Sequence, residues 1–153
     1  MAGDTSTVQP TNKIVVDSTN LHETTKNVET ATNVYPGRLV MKGTNDDDII
    51  VCDGSTAHAV GWAGYEHTAK KYRPATVDTV YAENAKIAVV WGPGIRVLAR
   101  INACPAITVG MVLKAAASGT VTPGTAGTDD IIAQAEEAKA AGTAADIIVR
   151  SLI

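Results

Sequence analysis

A chain of 153 residues makes one domain with room for an appendage, and a domain of this size buries about two thirds of its unfolded surface, so a core without staples is within reach. Its composition is 45% hydrophobic but only 4% aromatic, with no Phe, which leaves Val, Ile, Leu and Ala to build that core. Thirteen Lys and Arg against 16 Asp and Glu leave a net charge of −3, which argues against the broad basic footprint of a nucleic-acid binder.

The opening "MAGDTSTVQPTNK" lacks the basic start and apolar h-region of a signal peptide, and no apolar run approaches the roughly 18 residues of a membrane span. The expectation is a protein made in the cytoplasm, with no membrane partner. Residues 1–34 hold fourteen Ser, Thr or Asn and a local charge of −2, too little apolar surface to offset the entropy of ordering. They read as an extended polar N-terminal arm, and 35–153 as the body. Within the arm, "KIVVD" (Lys13, Ile14, Val15, Val16 and Asp17) is suited to pairing as a strand, most readily with a partner's exposed sheet edge. Removal of residues 1–34 is expected to leave a folded body.

From Tyr35 short β-like runs alternate with turn residues about every ten positions, the pattern of a sandwich or barrel. "RLVMK" is followed by "NDDD", then by "IIVCDG", whose Asp53-Gly54 is a turn signal, and then by "HAVGWAG". A basic link, "AKKYRPA", leads to "VDTVYAENAKIAVVW", which reads as a hairpin turning at Glu83-Asn84. In "GIRVLARI" the alternation points Ile95, Val97, Ala99 and Ile101 inward and Arg96, Leu98 and Arg100 the other way. "AITVGMVLKAAASGTVTPG" gives two strands punctuated by Gly110 and Ser118-Gly119. Residues 129–141, "DDIIAQAEEAKAA", combine an Asp start with good helix formers and read as one short helix, although "IIAQAEEA" also alternates. "DIIVRSLI" is a terminal strand.

Residues with chemical potential are sparse. Gly92-Pro93-Gly94 has neither the lysine of a P-loop nor a following helix, and Pro93 offers no N–H to an anion, so it reads as a corner between strands. Asp46, Asp47 and Asp48 precede Ile49, Ile50 and Val51, where a calcium loop would need oxygen ligands. His22, His58 and His67 show no metal-binding or catalytic spacing, so no catalytic, cofactor or metal residue is assigned. Cys52 and Cys104 read as buried thiols. Lys70, Lys71, Tyr72 and Arg73 form a candidate interaction loop, suited to an acidic surface or to a nucleic-acid backbone, the latter disfavoured by the net negative charge of the chain.

Five features in order carry a resemblance: "YPGRLV", "AVGWAG", "VYAENAKIAVVWGPGIRVLARI", "ITVGMVLKAAASGTV", and the pair "IIAQAEEA" and "IIVRSLI". In this order they resemble the small capsid decoration, or cement, proteins of tailed viruses, a group often described as DUF2190-like. The resemblance implies a mainly β fold, a small β-barrel or tulip-like body, in which "IIAQAEEA" is a strand against its propensity. It also implies a homotrimer on the outside of an icosahedral virion shell, meeting the major capsid protein and neighbouring decoration proteins, with no enzymatic activity and no cofactor. The arm would then tether to capsid or neighbour. The alternatives are a small β-barrel ligand-binding module or enzyme, which needs a concave site with converging polar groups, and a carbohydrate-binding sandwich, which needs exposed aromatics on one face.

Overall fold

The computed structural model describes residues 13–17, 19–29, 33–54, 58–103 and 105–153. These residues form two closed five-stranded β-barrels and no helix of seven or more residues. The first barrel consists of β2 (His22–Val28), β3 (Leu39–Lys42), β4 (Asp48–Val51), β5 (Gly61–Ala63) and β6 (Lys86–Trp91), joined in the order β2-β4-β3-β5-β6. The second consists of β7 (Arg96–Ile101), β8 (Val112–Ala115), β9 (Val121–Pro123), β10 (Ile131–Ala135) and β11 (Ala145–Ser151). Its order is β7-β11-β10-β8-β9, closed where Val121 meets Ile101 in parallel. A short strand, β1 (Val15–Asp17), lies along β7 with Val15 opposite Val97.

Period-two alternation divides the side chains between two cores. Val40, Ala63, Ile87 and Val89 turn into the first barrel with Val28 and Ile49. Their chain neighbours Leu39, Trp62 and Val90 turn outward and join the larger core, packed with the inward row Ile95, Val97, Ala99 and Ile101. Both faces of β3, β5 and β6 are therefore apolar, because the outer wall of one barrel is part of the other's core.

Tyr81 closes one end of the first barrel, its hydroxyl donating to the Gly64 carbonyl, with Thr68 Oγ1 at 3.4 Å. Burial pushes this phenol up from 10.0 to about 12. The folded chain thus holds the proton more tightly than the unfolded chain. Stability from this group is complete below pH 10 and is lost as pH rises through about 12, by about 2–3 kcal/mol. Denaturant titration between pH 9 and 12 checks this: Tyr81→Phe is expected to flatten that alkaline decline, and an unchanged slope counts against it.

Three expectations are corrected. The first concerns the arm: residues 22–28 form a strand of the first barrel, paired with β6 from His22 opposite Trp91 to Asn27 opposite Lys86. Backbone pairing supplies what the polar side chains lack, and exposed His22, Glu23 and Thr25 account for the polar composition. Deleting 1–34 would therefore remove a barrel wall. The second concerns the hairpin: residues 76–85 contain no strand, because β2 and β5 already occupy both edges of β6. Asn84 has φ +62 and donates to the Val28 carbonyl, and Tyr81 donates to that of Val34. The third is the helix at 129–141, where the structure has β10, as the resemblance implied. Helix propensities differ by tenths of a kcal/mol per residue, whereas β10 pairs on both sides, with β11 and with β8, across a bulge between Ile131 and Ala133.

Candidate interaction surface

The KIVVD segment meets the chain's own sheet and not a free partner edge. Ile14 and Val15 are only 2% and 3% exposed, β1 covers part of β7, and the Leu98 amide donates to the Ile14 carbonyl. The opposite side of this strand is held by Glu66, whose two carboxylate oxygens accept from the amides of Ile14 at 2.9 Å and Val15 at 2.5 Å. Arg73 fixes the loop that carries Glu66. Its Nε donates to the Thr68 carbonyl at 2.7 Å, a terminal nitrogen donates to that of Glu66 at 2.6 Å, and the guanidinium lies 5.7 Å from the Tyr65 ring centre.

The arm motif and the basic loop, two separate patches in the sequence, are thus joined through Glu66. Lys70 and Lys71 remain exposed on a 3-10 turn, Lys71 lying 4.8 Å over the half-buried Tyr72 ring, and Lys13 is exposed as well. Glu66→Ala is expected to cost about 1–3 kcal/mol by leaving two amides without their charged acceptor. Amide exchange at Ile14 and Val15 should accelerate well before global unfolding. Unchanged exchange there would show that Glu66 does not hold the strand.

Beside Ile14 lies a hollow of about 270 Å³ between the barrels, lined among others by Tyr35, Arg38, Asp78, Arg100 and Asp146. Arg38 donates to the Ser118 carbonyl at 2.9 Å and sits 5.2 Å over the Tyr35 ring; burial, then the Arg100 charge, lowers its pKa. Arg100 lies 3.4 Å from Asp146. Guanidinium and carboxylate alternate along this wall, which suits polar contact with another protein surface.

The other singled-out residues have structural partners. Gly92-Pro93-Gly94 is the corner between β6 and β7, and its two amides donate to the carbonyls of Ile153 and Ser151, both at 2.8 Å, so they are not directed at a ligand. Asp53-Gly54 follows β4, with Gly54 at φ +80. In the acidic run, Lys42 pairs with Asp46 at 2.5 Å, Lys26 with Asp47 at 3.6 Å, and Asp48 accepts from Asn45 at 2.6 Å. The bond from Lys42 holds the Asp46 carboxyl below its ordinary pKa. No group of three or more His, Cys, Asp or Glu placed to hold a metal occurs among the described residues. His58 lies 3.4 Å from Asp130, His67 2.9 Å from Glu23, and His22 stacks on Trp91 with ring centres 5.9 Å apart. Cys52 is a buried free thiol, pushed up by desolvation, and Cys104 lies outside the described residues.

The fold thus defines a mainly β protein of two closed five-stranded barrels. Among solved structures it is similar to the head fiber gp8.5 N base of bacteriophage phi29, with a TM-score of 0.44 and 19% identity, covering 87% of this chain and 98% of that one. No protein-family model and no curated protein matches the chain.

Proposed function

We propose that this chain is a structural, non-enzymatic virion protein: a capsid decoration protein that binds the outside of an icosahedral shell between major capsid subunits and stabilises it. The observation that carries the reading is strand β10. Composition demands a helix at "IIAQAEEA", the resemblance to decoration proteins demands a strand, and the strand is what the fold contains. Of the other ordered landmarks, "AVGWAG" contains β5, the "KIAVVWGPGIRVLARI" part of the third contains β6 and β7, and "ITVGMVLKAAASGTV" contains β8, whereas "YPGRLV" reaches only the first two residues of β3 and "VYAEN" contains no strand.

Such a protein acts by mass action. Binding the assembled shell but not its separated subunits stabilises the shell by about 2.7 kcal/mol per site at a hundredfold excess over Kd, repeated at every site. Of the loop at 70–73, Lys70 and Lys71 are the residues left to meet an acidic capsid surface, because Arg73 is engaged inside the chain. Tethering is not assigned to Ile14 and Val15, which the chain's own core buries. The protein assembles as a homotrimer, so its mass in solution is three times the 15.8 kDa of the chain.

The reading expects a major capsid protein to be encoded beside this chain. Shells assembled from that protein should retain the chain saturably on sedimentation and withstand a higher temperature with it bound. Shells that sediment without the chain would overturn the proposal.

A further inference from the structure

β2 is paired unevenly. On one edge it meets β6 along its length, but on the other β4 reaches only Asn27 and Val28. Backbone groups alternate in direction along a strand. Val28 donates to Ala85 on the β6 side, whereas Asn27 and Glu29 donate to Asp47 and Ile49 on the β4 side. Glu23 and Thr25 share the outward direction of Asn27, and among the described residues their amides and carbonyls have no backbone partner on that side. Two donors and two acceptors are thus presented along His22–Lys26, repeating at about 7 Å.

This open edge borders a groove of about 280 Å³ at the mouth of the first barrel. Val89, Trp91 and Ile49 supply apolar lining, Val60 is 43% exposed beside them, and Thr24 and Lys26 line the β2 side. At the groove Asp46, Asp47 and Asp48 stand against Lys26 and Lys42, an excess of one carboxylate, and Glu23 flanks the edge on the other face of β2 beside His67. A second copy of the chain pairing edge to edge would bring two such acidic rims together.

We infer that the open edge of β2 is a docking site for an extended, lysine- or arginine-bearing segment of another protein. The segment adds as a strand along His22–Lys26 and directs apolar side chains over the groove. Main-chain bonds to Glu23 and Thr25 supply the pairing, and the acidic rim selects the charge of the partner. The inference does not depend on the capsid reading, since it follows from the pairing of β2 alone.

The test uses the full chain and three synthetic peptides: Lys-Val-Thr-Val-Thr-Val-Lys, its counterpart with Glu at both ends, and the lysine peptide N-methylated at alternate positions. The lysine peptide should protect the amides of Glu23 and Thr25 from exchange by about tenfold or more at saturation, with the other two peptides without effect. Thr25→Pro removes a donor that β6 does not use and should abolish the protection. Should that variant fail to fold, Asp47→Lys decides, because it should weaken the lysine peptide and admit the glutamate one. Absence of protection at millimolar peptide, protection elsewhere, or equal binding of both end charges would overturn the inference. None of these results bears on whether shells retain the chain.

Discussion

Trp62→Ala is expected to destabilise the chain by about 3–5 kcal/mol, the range for emptying a buried aromatic site. Trp62 is fully buried on the wall shared by the two barrels, packed with Leu39 and Val90 of the first and the inward row of β7. Its indole N–H donates to Ser151 Oγ at 3.1 Å, and that hydroxyl in turn donates to the Ile153 carbonyl at 3.0 Å. Truncation removes the contact surface and one bond of a buried chain together. With about 2–4 °C per kcal/mol for a domain of this size, the melting temperature should fall by roughly 6–20 °C. Trp62→Phe keeps most of the volume, leaves Ser151 bonded to Ile153, and should cost less than half as much. A melting temperature within 2 °C of the parent for the alanine variant would show that the shared wall does not bind the barrels together.

The second large effect separates two glycines of one corner. Both have positive φ, +140 at Gly92 and +94 at Gly94, so either alanine is strained. A Cβ on Gly92 would lie 2.3 Å from the Asn20 carbonyl oxygen, however, while one on Gly94 would meet nothing within 4 Å. Gly94→Ala should therefore cost the conformational strain alone, about 1–2 kcal/mol. Gly92→Ala must also displace the backbone leading into β2, and a total above about 3 kcal/mol is expected, read by denaturant unfolding. Equal costs would mean that the Asn20 contact yields freely.

The corner itself is legible from sequence, because a Gly-Pro-Gly without lysine or following helix has few uses beyond turning a strand. The alternation of "GIRVLARI" is legible too: Ile95, Val97, Ala99 and Ile101 are all buried, and Arg96 and Arg100 are half-exposed. β2 is not legible, because a strand closed mainly by backbone bonds can carry His, Glu, Thr and Lys and leave no apolar trace. The 77–81 alternation misleads for the opposite reason. Tyr81 is buried, but as a plug held by its hydroxyl rather than as one of a ladder of paired residues. β10 is invisible to propensity because what makes it a strand is the presence of β8 and β11 on either side.

The same limit governs the candidate surface. Glu66 decides where the arm motif lies, yet its partners are main-chain amides more than fifty residues earlier, and such a bond depends on no side-chain type at Ile14 or Val15. The lysines at 70 and 71 and the arginine at 73 look alike in sequence. Only the fold separates two exposed charges from one that secures a loop.

The division of the first two strands has a kinetic consequence. β1 belongs with β7 of the second barrel while β2, only a few residues later, belongs to the first. Ribosomal synthesis delivers every strand of the first barrel by Trp91, but β1 must wait for residues beyond 95 before it has anything to pair with. Such sequence-distant pairing slows folding, and it leaves Ile14 and Val15 open to misassociation in the interval. Because the barrels already share the wall of Leu39, Trp62 and Val90, seating β1 adds to an existing coupling, and the chain should melt in one transition, with neither barrel surviving as a separate folding unit.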